Sequence, residues 1–98
     1  MTPKKQKEVR VYTRADCHFC DEVKEVLTAR GIEFREVDVA ADYVLRGWLA
    51  WASGQRTLPQ VFIAGEPAGG YSDFMKIDAV GELRQRCGLD PQDTEATR

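Results

Sequence analysis

Two cysteines three residues apart, Cys17 and Cys20, enclose His18 and Phe19 and carry the clearest chemistry in the chain. An apolar stretch with Val9, Val11 and Tyr12 precedes them, and Phe19, Val23, Val26 and Leu27 follow at helical spacing. A C-x-x-C at such a strand-to-helix junction reads as a redox pair. Side chains three apart share one turn of a helix, so the two sulfurs can bridge with little backbone movement. Cys17 falls at the helix tip, where unpaired N–H groups and the macrodipole favour a thiolate. Cys20 falls one turn further in and is shielded. One reactive thiol and one resolving thiol is the arrangement that disulfide exchange needs. Half of a zinc site is the rival reading, but it needs two more ligands. Only His18, trapped between the pair, and Cys87 remain among the histidines and cysteines. Cys87 lies at helical spacing from Leu83 and reads as a small buried apolar residue, with a regulatory thiol as its other role.

The 98 residues are enough for one domain, 1–98, built on a single core. Residues 1–7 and 90–98 are polar and read as flexible tails. The net charge of −2 gives no footprint for nucleic acid or a membrane surface. The basic start, Met1 to Glu8, is followed by no apolar h-region, so it does not read as a secretory signal. No apolar run approaches the roughly 20 residues that span a bilayer. Three cysteines, an odd number, without such a signal point to a reducing cytoplasm and a catalytic or metal role rather than a structural disulfide.

The positioning elements follow from periodicity and punctuation. Residues 8–13 alternate Val9 and Val11 against Arg10 and Tyr12 and predict a strand. Arg14 to Asp16 form a loop, with Asp16 placed to help cap a helix over 18–30 that ends at Gly31. Its apolar face is Phe19, Val23, Val26 and Leu27. Residues 32–39 alternate Phe34, Val37 and Val39 with charged neighbours and predict a second, parallel strand. A helix over 40–53 carries Trp48 and Trp51, which cannot both face a core, and Gly47 weakens its middle. Leu58-Pro59 opens a strand over 60–64, Gly65 marks a hairpin, and 66–68 form a fourth strand. Ser72 or Asp73 caps a last helical region with Phe74, Ile77, Val80, Leu83 and Cys87, interrupted near Gly81. The order β-α-β-α-β-β-α predicts an α/β fold, a four-stranded mixed sheet with helices on both faces.

From about Val9 to Leu89 the sequence closely resembles the glutaredoxin family, whose fold is thioredoxin-like, a three-layer α/β/α arrangement. Three blocks carry the likeness in the same order and spacing: Tyr12-Thr-Arg-Ala-Asp-Cys17-His-Phe-Cys20, Arg56-Thr57-Leu58-Pro59-Gln-Val-Phe-Ile63, and Gly69-Gly70-Tyr-Ser72-Asp73. The departures are His18 where Pro is common, Phe19 where Tyr is common, Leu58 where Val is common, and Tyr71 after the Gly pair. None removes a reacting atom.

The resemblance implies a glutathione site around Cys17. Arg14 would bind the glycine carboxylate, with Arg46 and Arg56 contributing at that end and Phe19 beside the cysteine. Thr57-Leu58-Pro59 resembles the loop whose Pro is cis, from which Leu58 pairs main chain to main chain with the tripeptide. Gly70, Ser72 and Asp73 match the segment that holds the γ-glutamyl end, through free N–H groups for its carboxylate and an acceptor for its ammonium. The implied activity is that of a monomeric glutathione-disulfide oxidoreductase acting on protein–glutathione mixed disulfides and protein disulfides, with Cys17 as nucleophile and Cys20 as resolving thiol. The potential expected for the class is about −200 to −230 mV, shifted upward by His18. Two other readings stay open. One is a dimer bridging a [2Fe–2S] cluster through Cys17 and two glutathiones. The other is an electron donor to ribonucleotide reductase served by thioredoxin reductase.

Overall fold

The computed structural model of the chain describes residues 6–90. Its elements run β1 (Val9–Thr13), α1 (His18–Ala29), β2 (Arg35–Asp38), α2 (Tyr43–Ser53), β3 (Gln60–Ile63), β4 (Glu66–Gly69), α3 (Tyr71–Ala79) and α4 (Leu83–Arg86). The strands lie in the order β2-β1-β3-β4. Val11 of β1 pairs in parallel with Glu36 of β2 and antiparallel with Val61 of β3, and β4 closes the sheet antiparallel to β3. The mixed four-stranded sheet is the one expected. Of the tails expected to be flexible, 1–5 and 91–98 lie outside the described residues. Gln6 and Lys7 are tied down: the Gln6 amide exchanges two hydrogen bonds with the Glu33 backbone, and Lys7 N–H donates to the Cys87 carbonyl at 2.8 Å.

The core has two parts, one on each face of the sheet. Val9, Val11, Val61 and Ile63 face Val23 and Leu27 of α1, Phe74 of α3, and Leu83 and Cys87 at α4. Tyr12 and Phe62 face Val39, just past β2, and Leu49 of α2. Full burial of a side chain such as Phe74, Leu27 or Leu83 contributes about 1.5–3 kcal/mol. The alternation read for β1 therefore does not separate core from solvent: Tyr12 is as buried as its valines, because a helix covers each face of this inner strand.

Several boundaries and faces differ from the sequence reading. β2 is only four residues long, since residues 32–34 turn into the sheet before pairing begins, and Val39 joins β1 through one bond to the Thr13 carbonyl, 2.9 Å. α2 starts at Tyr43 and not at residue 40, because the Asp42 side chain accepts the Leu45 N–H at 2.9 Å and caps it there. It runs unbroken through Gly47 and buries little besides Leu49. Trp48 packs on Tyr12 and Phe62, with ring centroids 5.9 and 5.6 Å apart, while Trp51 stands in solvent. α1 ends as expected: Gly31, at φ +72°, donates to the Thr28 carbonyl and Ile32 to that of Leu27, a Schellman closure. The same closure at Gly81 splits the last helical region into α3 and α4. The turn returns Leu83 and Cys87 to the core and leaves Val80, between them and Phe74 in the sequence, 67% exposed. Arg30 binds Asp78 with two bonds of 2.7 and 2.9 Å and so ties the far ends of α1 and α3 together.

Candidate active site

Cys17 and Cys20 are joined in a disulfide, with their Cα atoms 5.2 Å apart. Cys17 is itself the N-cap of α1, and its Sγ accepts the Cys20 N–H at 3.2 Å. Asp16, expected to cap, instead takes a left-handed conformation at φ +57° and turns the chain from the loop into the helix. Cys20 faces the core and is 1% exposed, while Cys17 is 6% exposed. Phe19 leaves the apolar face of α1. It is half exposed, and its ring lies 4.4 Å from that of Tyr71.

The Leu58–Pro59 bond is cis, and Pro59 is buried. Leu58 is partly buried against the Tyr12 side of the core. Behind this turn lies Gln60, a wholly buried side chain whose amide nitrogen donates to Gln55 Oε1 at 2.8 Å and to the Thr57 carbonyl at 2.9 Å. Its Oε1 has no hydrogen-bond partner among the described residues. A Cβ on Gly70 would lie 3.2 Å from both glutamine side chains. The glutamine pair and the Pro59 carbonyl, 3.4 Å from that Cβ, therefore pack together against the start of α3. Sequence reading placed Gln60 only at a strand opening and missed this role.

The cap of α3 is Gly70, not Ser72 or Asp73. Asp73 sits at the third helical position and reaches back to accept the Gly70 N–H at 3.2 Å, the acidic half of a capping box. Gly69, at φ +102°, lies so close under the Asp73 side chain that a Cβ there would overlap it. The first helical bond runs from Phe74 N–H to the Gly70 carbonyl, so the N–H groups of Tyr71, Ser72 and Asp73 have no partner within the helix. Such a tip attracts anions.

Arg14 is exposed and rests on the Ala15 carbonyl at 3.3 Å. Arg46, Arg56, Thr57 and Leu58 line one groove of about 420 Å³ together with Tyr43 and Gly47, and Arg14 is not among its lining residues. The structure thus brings the two other arginines to the cis-proline turn. Phe19 and Tyr71 bring the tips of α1 and α3 together. Glu22 joins them: its carboxylate accepts the Tyr71 hydroxyl at 2.8 Å and lies 2.6 Å from His18 Nε2. That bond holds the Tyr71 phenol above its ordinary pKa. The four-residue spacing of His18 and Glu22 was a readable signal, whereas the contact to Tyr71, 49 residues away, was not. Among the described residues no three His, Cys, Asp or Glu side chains converge as a metal site, and no helix is long and apolar enough to cross a membrane.

Comparison with known proteins is consistent across sequence and structure. The family model described as Glutaredoxin matches residues 9–67. Glutaredoxin 3 of Escherichia coli K12 is 34% identical over 83 residues, which cover 85% of this chain and 93% of that protein. The solution structure of glutaredoxin from Brucella melitensis superposes with a TM-score of 0.77 at 34% identity, covering 88% of this chain and 94% of the other. The crystal structure of a buckwheat glutaredoxin–glutathione complex superposes at 0.78 with 25% identity, covering 84% and 77%.

Proposed function

The chain belongs to the glutaredoxin family and is by that membership a thiol–disulfide oxidoreductase; on that premise we propose that it draws its electrons from glutathione and acts on protein–glutathione mixed disulfides and protein disulfides. The observation that carries this reading is the redox pair at the tip of α1, which meets the tip of α3 through Phe19 and Tyr71, together with the cis-proline turn whose carbonyl abuts Gly70 at that second tip with its free N–H groups. That combination suits a short thiol-bearing peptide with a carboxylate at each end.

In the proposed cycle the Cys17 thiolate attacks the glutathione sulfur of a mixed disulfide. The Cys17–glutathione bond forms, the protein–glutathione bond breaks, and the protein thiolate leaves and takes up a proton. A second glutathione thiolate then attacks the bound glutathione sulfur, releasing oxidised glutathione and the Cys17 thiolate. With a protein disulfide, Cys17 first bonds one substrate sulfur. Cys20 then attacks Cys17 Sγ and frees the reduced protein, which leaves the Cys17–Cys20 disulfide seen in this structure. Two glutathiones restore the dithiol.

The glutathione would lie with its backbone along Thr57-Leu58-Pro59 and beside Phe19. Its glycine carboxylate would meet Arg14, Arg46 and Arg56. Its γ-glutamyl carboxylate would lie against Gly70 and meet the N–H groups of Tyr71 and Ser72, and its ammonium the free oxygen of Asp73. We place this cycle in the cytoplasm, in a single chain, because it needs a reducing glutathione pool.

The test is a disulfide assay coupled to glutathione reductase on wild type, Cys17→Ser and Cys20→Ser. Cys17→Ser is expected to abolish turnover. Cys20→Ser is expected to keep deglutathionylation and lose reduction of protein disulfides. Turnover with thioredoxin reductase but not with glutathione would replace the glutathione reading. A brown preparation of doubled mass would favour the cluster-bridging dimer, in which two copies each supply Cys17.

A further inference from the structure

One carboxylate is shared between α1 and α3. Glu22 holds His18 through one oxygen and the Tyr71 hydroxyl through the other. Between these two partners lies Phe19, with its ring centroid 5.7 Å from that of His18 and 4.4 Å from that of Tyr71. The three rings form a row along the residues that follow Cys17, clamped at both ends by Glu22. The Glu22 side chain is 34% exposed and Tyr71 packs partly against the core, so the clamp is anchored from inside. A half-exposed Phe without such neighbours would be free to change rotamer.

When Cys17 opens a protein disulfide, the bond it forms puts the substrate cysteine's Cα within about 7 Å of the Cys17 Cα. The residues flanking a substrate cysteine must then pass over the side chains adjoining Cys17, which are those of this row. We propose that Glu22, acting through Tyr71, is a positioning residue that fixes Phe19 as a ledge for the apolar side chains flanking the substrate's cysteine. The occupant is the polypeptide part of the disulfide substrate, because the ledge is continuous with the redox pair and presents an uncharged ring. The inference rests on the proposed reduction of protein disulfides for the choice of substrate.

The test uses two peptides, each with one internal disulfide, its cysteines flanked by leucines in one and by serines in the other. Wild type is expected to show the lower KM for the leucine peptide. Tyr71→Phe keeps the ring and removes the hydroxyl, and Glu22→Ala removes the acceptor. Each is expected to raise the KM of the leucine peptide about threefold more than that of the serine peptide, with kcat little changed. The double variant is expected to be no worse than either single one, and Glu22→Gln, which keeps an acceptor oxygen, to retain the preference. Equal KM values for the two peptides in wild type, an unchanged preference in Tyr71→Phe, or additive losses in the double variant would overturn the proposal. If wild type turns over neither peptide with glutathione, the glutathione reading fails instead, and the same comparison is made on the single turnover of the reduced protein with each peptide.

Discussion

The backbone N–H of Cys20 donates to Cys17 Sγ across 3.2 Å, so the residue proposed to resolve the intermediate also sets a hydrogen-bond donor on the sulfur proposed to attack. The geometry follows from Cys17 being the cap of α1. A capping side chain meets the N–H groups two or three residues on, and here the cap is a sulfur.

In the reduced protein that donor, with the helix tip around it, favours the Cys17 thiolate. Iodoacetamide at pH 7, followed by mass spectrometry, is expected to label Cys17 faster than a thiol in an unfolded peptide. Labelling no faster than that reference would remove the basis for Cys17 as nucleophile.

Cys87 is expected to behave in the opposite way. It is wholly buried, and burial pushes its thiol from the ordinary 9.0 up to about 11 against the opposing pull of Arg84 and Lys7. Below pH 9 both the native and the unfolded thiol keep their proton. Between pH 9 and 11 the unfolded chain loses a proton that the native one keeps, so stability falls as pH rises, by up to about 1.4 kcal/mol per pH unit. Urea melts of wild type and Cys87→Ala from pH 8 to 11 isolate this slope, which is expected to be shallower in the variant.

Gly69→Ala places a methyl group against the Asp73 side chain at a backbone angle of +102°. The expected cost is about 2 kcal/mol or more, from left-handed strain together with the displaced carboxylate. Thermal melts measure the stability. A parallel assay is expected to show weaker glutathione binding, because the Asp73 contact to Gly70 is lost. An unchanged melt would contradict the close approach.

The β3–β4 hairpin turns through Ala64 and Gly65, both at positive φ, 54° and 81°. That is the pattern of a two-residue turn in which Asn-Gly is preferred. Ala64→Asn is expected to stabilise the fold by about 0.5–1 kcal/mol without changing activity, read as a rise in Tm.

The local order of the chain was legible in its residues. The spacing of Cys17 and Cys20, the hairpin at Gly65 and the break at Gly81 all stand in the structure, because each is decided by neighbours within one turn. The readings that changed concern which face a residue shows. Phe19 shares a helical stripe with Val23 and Leu27, yet at the tip of α1 that stripe meets Tyr71 and solvent. Tyr12 alternates with valines and is buried all the same, since α2 covers the far side of the sheet.

By itself the sequence determined the redox pair, its place at a helix tip and the order of elements that carries it, since these depend on bonds and on spacing of a few residues. Only the tertiary structure decided that Glu22 meets Tyr71 and that Gln60 and the Pro59 carbonyl pack against Gly70. Such contacts arise when strands and helices distant along the chain pack to bury their apolar faces, and no local pattern encodes which side chains then come face to face.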